Sequence, residues 1–145
     1  MNIVINEGHD EVEVIINCPK ITDEVLKIES LCKGLKNQER LSCAQNGKTY
    51  LIDRRDIFYF ESVDKRCFLY TANDVYEISM KLYEIEEMFE NEGFIRSSKS
   101  QILNVSKIIS ICPDFGGRIE AMMENDEKII ISRQYSKILK ERLGI

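Results

Sequence analysis

FIRSSKSQILN, residues 94–104, sets strand-forming residues on either side of a polar, cationic insert. Phe94 and Ile95 are suited to burial and Ile102 and Leu103 resume the strand. Between them Arg96 to Gln101 project a dense group of hydrogen-bond donors. A chain that needed only to fold has little use for two cations and three serines at that place. Phosphate binding does have a use for them, because it asks for cations and small hydroxyl or amide donors on turns backed by a rigid sheet. An ion pair with a nearby glutamate would account for Arg96 equally well.

On both sides of this stretch the chain is rich in strands. LSCAQ and KTYLID flank Asn46-Gly47, a strong two-residue hairpin signal. IFYFESV (57–63) and CFLYTA (67–72) are aromatic and β-branched, joined by the charged loop Asp64-Lys65-Arg66, and VYEIS follows Asn73-Asp74. Residues 82–92 predict a helix of about three turns, with Leu82, Ile85, Met88 and Phe89 on one face, glutamates on the other and Gly93 as its stop. KIISIC, RIEAMME and KIIIS follow as strands, and Ser132 caps a last helix with Tyr135, Ile138, Leu139 and Leu143 on one stripe.

The first forty residues follow a different pattern. Residues 3–5 are a short apolar run, and Val12, Val14 and Ile16 alternate with polar neighbours as in a half-buried strand. Thr22 caps a helix in which Val25, Ile28, Leu31, Cys32 and Leu35 recur at helical spacing, with Gly34 or Asn37 at its end. Lys33, Gly34, Lys36, Asn37 and Gln38 form the best linker. The expected class is α+β and sheet-rich: a small ββα unit over residues 1–40, then a β domain over 41–145 with a middle helix and a C-terminal helix. There is no βαβα rhythm, which argues against a doubly wound parallel sheet.

The net charge of −5 argues by itself against a nucleic-acid partner, but acid and base are segregated. Residues 1–40 balance at −3 (five Lys+Arg, eight Asp+Glu), and residues 82–92 hold five glutamates and no cation. Residues 93–118 balance at +3 (Arg96, Lys99, Lys107, Arg118 against Asp114). Residues 128–142 balance at +4 (Lys128, Arg133, Lys137, Lys140, Arg142 against Glu141). No apolar run approaches the ~18 residues of a membrane span. The N-terminus lacks the basic and apolar regions of a signal peptide, so a cytoplasmic protein without membrane insertion is expected.

Catalytic and metal chemistry find no residues to carry them. Five cysteines without a C-x-x-C pair and a single histidine make no zinc-ligand set. The thiols are expected to stay reduced, with Cys67 and Cys112 buried. His9 stands alone in an acidic turn, so no Ser-His-Asp set forms. Ser97, Ser98 and Lys99 are adjacent rather than spaced as Ser-x-x-K, and neither a Walker loop nor a dinucleotide fingerprint is present. No enzyme, metal or cofactor is predicted.

A second cationic edge appears in KIIISRQYSK, where an apolar strand ends at Ser132 and Arg133 and Gln134 open the helix. Arginine can grip guanine bidentately, and amides at a helix start favour phosphate oxygens.

Taken in order, these segments over residues 41–145 resemble the LytTR DNA-binding domain of bacterial transcription regulators. IFYFES matches that family's aromatic-x-x-aromatic-Glu strand, and FIRSSKSQILN its F-x-R-x-H-R-S-x-x-x-N stretch after an acidic-faced helix. KIISI matches its I-x-x-I strand, and ISRQYSKILKERL its closing S-R-x-Y and last helix. Two departures stand out: Ser98 occupies the place of the usual histidine, and Lys99 that of the following arginine. Lysine contacts guanine as a point charge without arginine's fork.

The resemblance implies an elongated, mainly antiparallel β fold that lays loops, rather than a recognition helix, into successive major grooves. It assigns DNA contacts to the loop holding Lys65 and Arg66, to the turn of Ser98, Lys99 and Ser100, and to Arg133. Arg96 and Ser100 support the turn or touch phosphate, and Asn104 fixes the turn that follows. Lys107 and Lys137 act on phosphate at most. A regulator without a receiver domain, binding double-stranded promoter DNA as a homodimer, is the expectation, with residues 1–40 as a dimer contact or a docking unit. A regulatory protein partner is left open. The alternative is a protein-binding β module working in signalling through the acidic helix 82–92. A third reading, an oxidation sensor through Cys67 or Cys112, requires binding to respond to peroxide.

Overall fold

The computed structural model describes residues 1–37 and 40–145. The chain divides into two compact units, Met1–Glu39 and Arg40–Ile145.

In the first unit, helix α1 spans Asp23–Asn37. Thr22 opens it, its hydroxyl accepting from the Val25 amide at 3.5 Å, and Asp23 and Glu24 lie in the first turn, where the helix dipole favours acid. The expected strands over residues 3–5 and 12–16 are not formed, so this unit is not ββα. Ile3 is 81% exposed and Val12 92%, and two short strands without a covering layer make at best a marginal ribbon. Gly34 does not end α1 either, because an interior glycine costs a helix only about 1 kcal/mol. Most of the expected linker is therefore helical, and Gln38 lies outside the described residues.

The second unit is antiparallel throughout. Its strands are β1 (Arg40–Gln45), β2 (Lys48–Asp53), β3 (Tyr59–Val63), β4 (Arg66–Tyr70), β5 (Val75–Ile78), β6 (Phe94–Ser98), β7 (Gln101–Asn104), β8 (Ile108–Pro113), β9 (Ile119–Met123) and β10 (Lys128–Ile131). Helix α2 (Leu82–Met88) follows β5, and α3 (Arg133–Leu143) follows β10. A seven-stranded sheet runs β2-β1-β5-β4-β3-β7-β6, and a three-stranded sheet runs β10-β9-β8.

Strand alternation gives the larger sheet two buried faces. Phe60, Phe94 and Ile102 turn to one face and pack with Leu82, Ile85 and Phe89. Their neighbours Tyr59, Ile95 and Leu103 turn to the other and pack with Ile119, Ala121, Met123, Ile129, Ile131 and Leu139. A helix therefore covers one face, and the small sheet with α3 covers the other.

Two hairpins use turns with positive φ at both central residues, Asn46 (51°) with Gly47 (75°) and Asp64 (49°) with Lys65 (64°). That geometry matches the twist of the flanking strands. α2 is shorter than expected, ending at Met88, with Asn91 and Gly93 in the left-handed region before β6. Cys67 is buried as expected, but Cys112 is exposed, because it lies on β8 at the edge of the small sheet. Cys43 is buried instead.

Candidate nucleic-acid interface

Three backbone links gather the cationic turns at one end of the large sheet. β3 and β7 are antiparallel neighbours, with Glu61 opposite Gln101. The Ser62 amide donates to the Ser100 carbonyl at 2.8 Å, which sets the Lys99–Ser100 tip of the β6–β7 hairpin beside the Asp64–Lys65 tip of β3–β4. A register shift between Arg96 and Ser98 then turns the Ser97 carbonyl out of the ladder. That carbonyl accepts from the Ser132 amide at 2.8 Å, tying the start of α3 to the same hairpin.

Lys65, Lys99 and Arg133 are all exposed at this end, and among the described residues none of the three has an ion-pair partner. The Arg133 stem runs along Gly117, where an added Cβ would come within 3.2 Å of Arg133 Cγ. α3 has no acidic residue in its first turn and no side chain on its first amides. Such a terminus suits an oxyanion. Lys137 is exposed one turn further along.

The other expected site residues are engaged within the protein. Arg66 grips Glu77 of β5, Nε to Oε1 at 2.8 Å, and lies 5.4 Å from the centre of the Phe68 ring. The hydrogen bond from Arg66 holds the Glu77 carboxyl below its ordinary value. Arg96 pairs with Glu86 of α2 and donates from Nη1 to the Lys99 carbonyl at 2.7 Å. Ser98 and Ser100 meet Oγ to Oγ at 3.3 Å, and Ser98 Oγ accepts from the Ser100 amide at 3.2 Å. Lys107 lies away from the tips, with Glu124 at 3.5 Å and above the Phe58 ring.

Three residues that build the site were not singled out from the sequence. Ser97 is fully buried, its hydroxyl donating to Gln101 Oε1 at 2.6 Å. It is in phase with Ile95, so alternation places it on a core face; that signal was legible. Gly117, beside Gly116, looks in the sequence like any glycine of a turn. Glu86 offers no local signal, because the Arg96 it holds lies ten residues away on another element.

Among the described residues no group of three or more His, Cys, Asp or Glu could hold a metal ion, and no helix is long and apolar enough to cross a membrane.

Residues 47–144 match the family model described as the LytTr DNA-binding domain. An uncharacterized HTH-type transcriptional regulator of Staphylococcus aureus strain NCTC 8325 is 29% identical over 145 residues, which is 100% of this chain and 98% of that protein. A counterpart in strain MRSA252 is 28% identical over the same shares. Among solved structures, the LytTr DNA-binding domain of a Bacillus cereus protein superposes with a TM-score of 0.71 at 23% identity, covering 75% of this chain and 100% of that one.

Proposed function

The chain belongs to the LytTr DNA-binding domain family, and from that membership we propose that it is a transcriptional regulator that reads duplex DNA with the turn-bearing end of its large sheet. The observation that carries this reading is the grouping of Lys65, Lys99 and Arg133, exposed and free of carboxylates among the described residues, on backbone locked by the Ser62–Ser100 and Ser97–Ser132 bonds. Rigid cationic turns suit a groove lined by phosphates, because their order is established before DNA arrives.

The roles follow from side-chain chemistry. Arg133, with its guanidinium free, is the residue able to make a forked contact with guanine O6 and N7. Lys99 adds a point charge to base acceptors or phosphate. Lys65, Lys137, the Ser100 hydroxyl and the first amides of α3 fall to phosphate oxygens, which position the protein without reading sequence. Arg66 and Arg96, already held by Glu77 and Glu86, support the two hairpins instead. Contacts of about 1–3 kcal/mol each favour a homodimer on two half-sites, acting on promoter DNA in the cytoplasm. Residues 1–39 would supply the dimer contact, supported by the exposed Ile3, Val4, Val12 and Leu31.

A protein-docking role for the acidic segment 82–92, α2 and the turn after it, draws less support, since Leu82, Ile85 and Phe89 are buried and Glu86 and Glu92 are taken by Arg96 and Arg54.

Selection from a randomised duplex pool, followed by titration of the recovered duplex at rising salt, tests the reading. A recovered consensus is expected, with log affinity falling against log salt by about 0.9 per phosphate neutralised. Recovery of no consensus, together with a flat salt response, would overturn it.

A further inference from the structure

The Arg96 guanidinium is engaged on two sides. Nε meets the Glu86 carboxylate, and Nη1 donates to the Lys99 carbonyl at 2.7 Å. Glu86 sits on α2, which the core anchors through Leu82 and Ile85. Lys99 sits at the hairpin tip. The Arg96 side chain is only 18% exposed, while that of Glu86 is 52% exposed. A guanidinium is a planar fork, so a carboxylate that takes one donor sets the plane in which the others point. The Lys99 carbonyl accepts from Nη1 of the same fork, and across the tip Ser98 Oγ accepts from the Ser100 amide.

We propose that Glu86 is a positioning residue for DNA recognition: by orienting Arg96 it holds the Lys99 carbonyl, and so sets the direction in which Lys99 leaves the sheet. This rests on the reading of the Lys99–Ser100 tip as a DNA-contacting turn. It gives one glutamate of an acidic helix a role opposite to the repulsion its charge exerts on phosphate.

That opposition of sign supplies the test. If Glu86 acted by charge alone, Glu86→Gln would strengthen binding to every duplex. Positioning predicts a loss confined to the preferred duplex. The full-length protein is titrated with the duplex that wild type recovers from a randomised pool and with a scrambled duplex of the same composition. Glu86→Gln is expected to lower the preferred-to-scrambled affinity ratio about fivefold or more, the low end of one good base contact. Its melting temperature should hold, since the Glu86 carboxylate is half-exposed and solvent screens such a pair.

Arg96→Lys keeps the charge but loses the fork, so the same drop is expected there, and it asks the same question should Glu86→Gln unfold. The double variant should fall no lower than Arg96→Lys alone. Glu90→Gln, an exposed glutamate just past the same helix, should leave the ratio unchanged. An unchanged ratio in Glu86→Gln with tighter binding to both duplexes, or losses that add in the double variant, overturns the proposal. A wild-type protein that prefers no duplex overturns the DNA reading beneath it instead.

Discussion

Arg133 and Lys99 carry their charge into solvent, whereas Arg66 and Arg96 close on carboxylates of neighbouring elements. Substitution should separate the two kinds. Arg133→Ala is expected to cost about 1–3 kcal/mol of discrimination at one base position. An exposed side chain with no ion-pair partner among the described residues adds little to stability, so its melting temperature should stay within the ~0.5 kcal/mol equivalent of an ordinary surface change. Competition titrations against single-base variants of the selected duplex, with a thermal melt alongside, measure both. Gly117→Ala should behave differently. Its φ of 80° makes a side chain unfavourable by roughly 1–2 kcal/mol, and the new Cβ presses on the Arg133 stem. Stability and discrimination should therefore fall together in the same two measurements. At this scale the sequence pointed to Lys99 and Arg133 because each is a cation where an apolar strand stops. It set Arg96 apart as a cation that a nearby glutamate could hold, without identifying Glu86, and it could not separate Arg66, whose partner lies eleven residues away on another element.

Among the elements, the β6–β7 hairpin joins core to tip. Its buried Asn104 donates to the Ile57 carbonyl at 2.8 Å, and its Oδ1 accepts from the Ser106 amide at 3.1 Å and hydroxyl at 2.7 Å, fixing the turn before β8. Asn104→Ala leaves a buried carbonyl without its donor, and a loss of about 1–3 kcal/mol in urea unfolding is expected. Affinity for preferred and scrambled duplexes should keep its ratio, unlike Arg133→Ala. Near the end of β2, the Arg55 side chain and amide hold the Asp53 carboxyl at about 2, below its ordinary 3.8. A carboxyl depressed on folding stabilises above its unfolded pKa and loses that contribution as pH falls toward 2. The melting-temperature difference between wild type and Asp53→Asn should thus be full above about pH 4 and shrink below it. Alternation made the strands and their buried faces readable. The Ser97 shift was not, because a bulge changes phase without changing composition.

For the whole molecule, the proposed homodimer needs a contact surface. Met1–Glu39 leaves Val12 92% and Leu31 72% exposed, apolar side chains that a second copy of the chain could cover. If this unit forms the dimer contact, Val12→Asp with Leu31→Asp in the full-length protein should shift sedimentation from dimer to monomer. Binding to paired half-sites should weaken while binding to a single half-site persists. A double variant that still sediments as a dimer would place the contact elsewhere.

Composition and periodicity alone determined that this chain is a sheet-rich α+β protein with cations gathered at two strand ends, because burial periodicity and turn chemistry are local properties. The absence of the N-terminal strands was decided only in three dimensions, since a strand persists by what covers it. Tertiary structure also decided which cations stay free, because an arginine's partner is chosen by strand order and helix placement rather than by its neighbours in the chain.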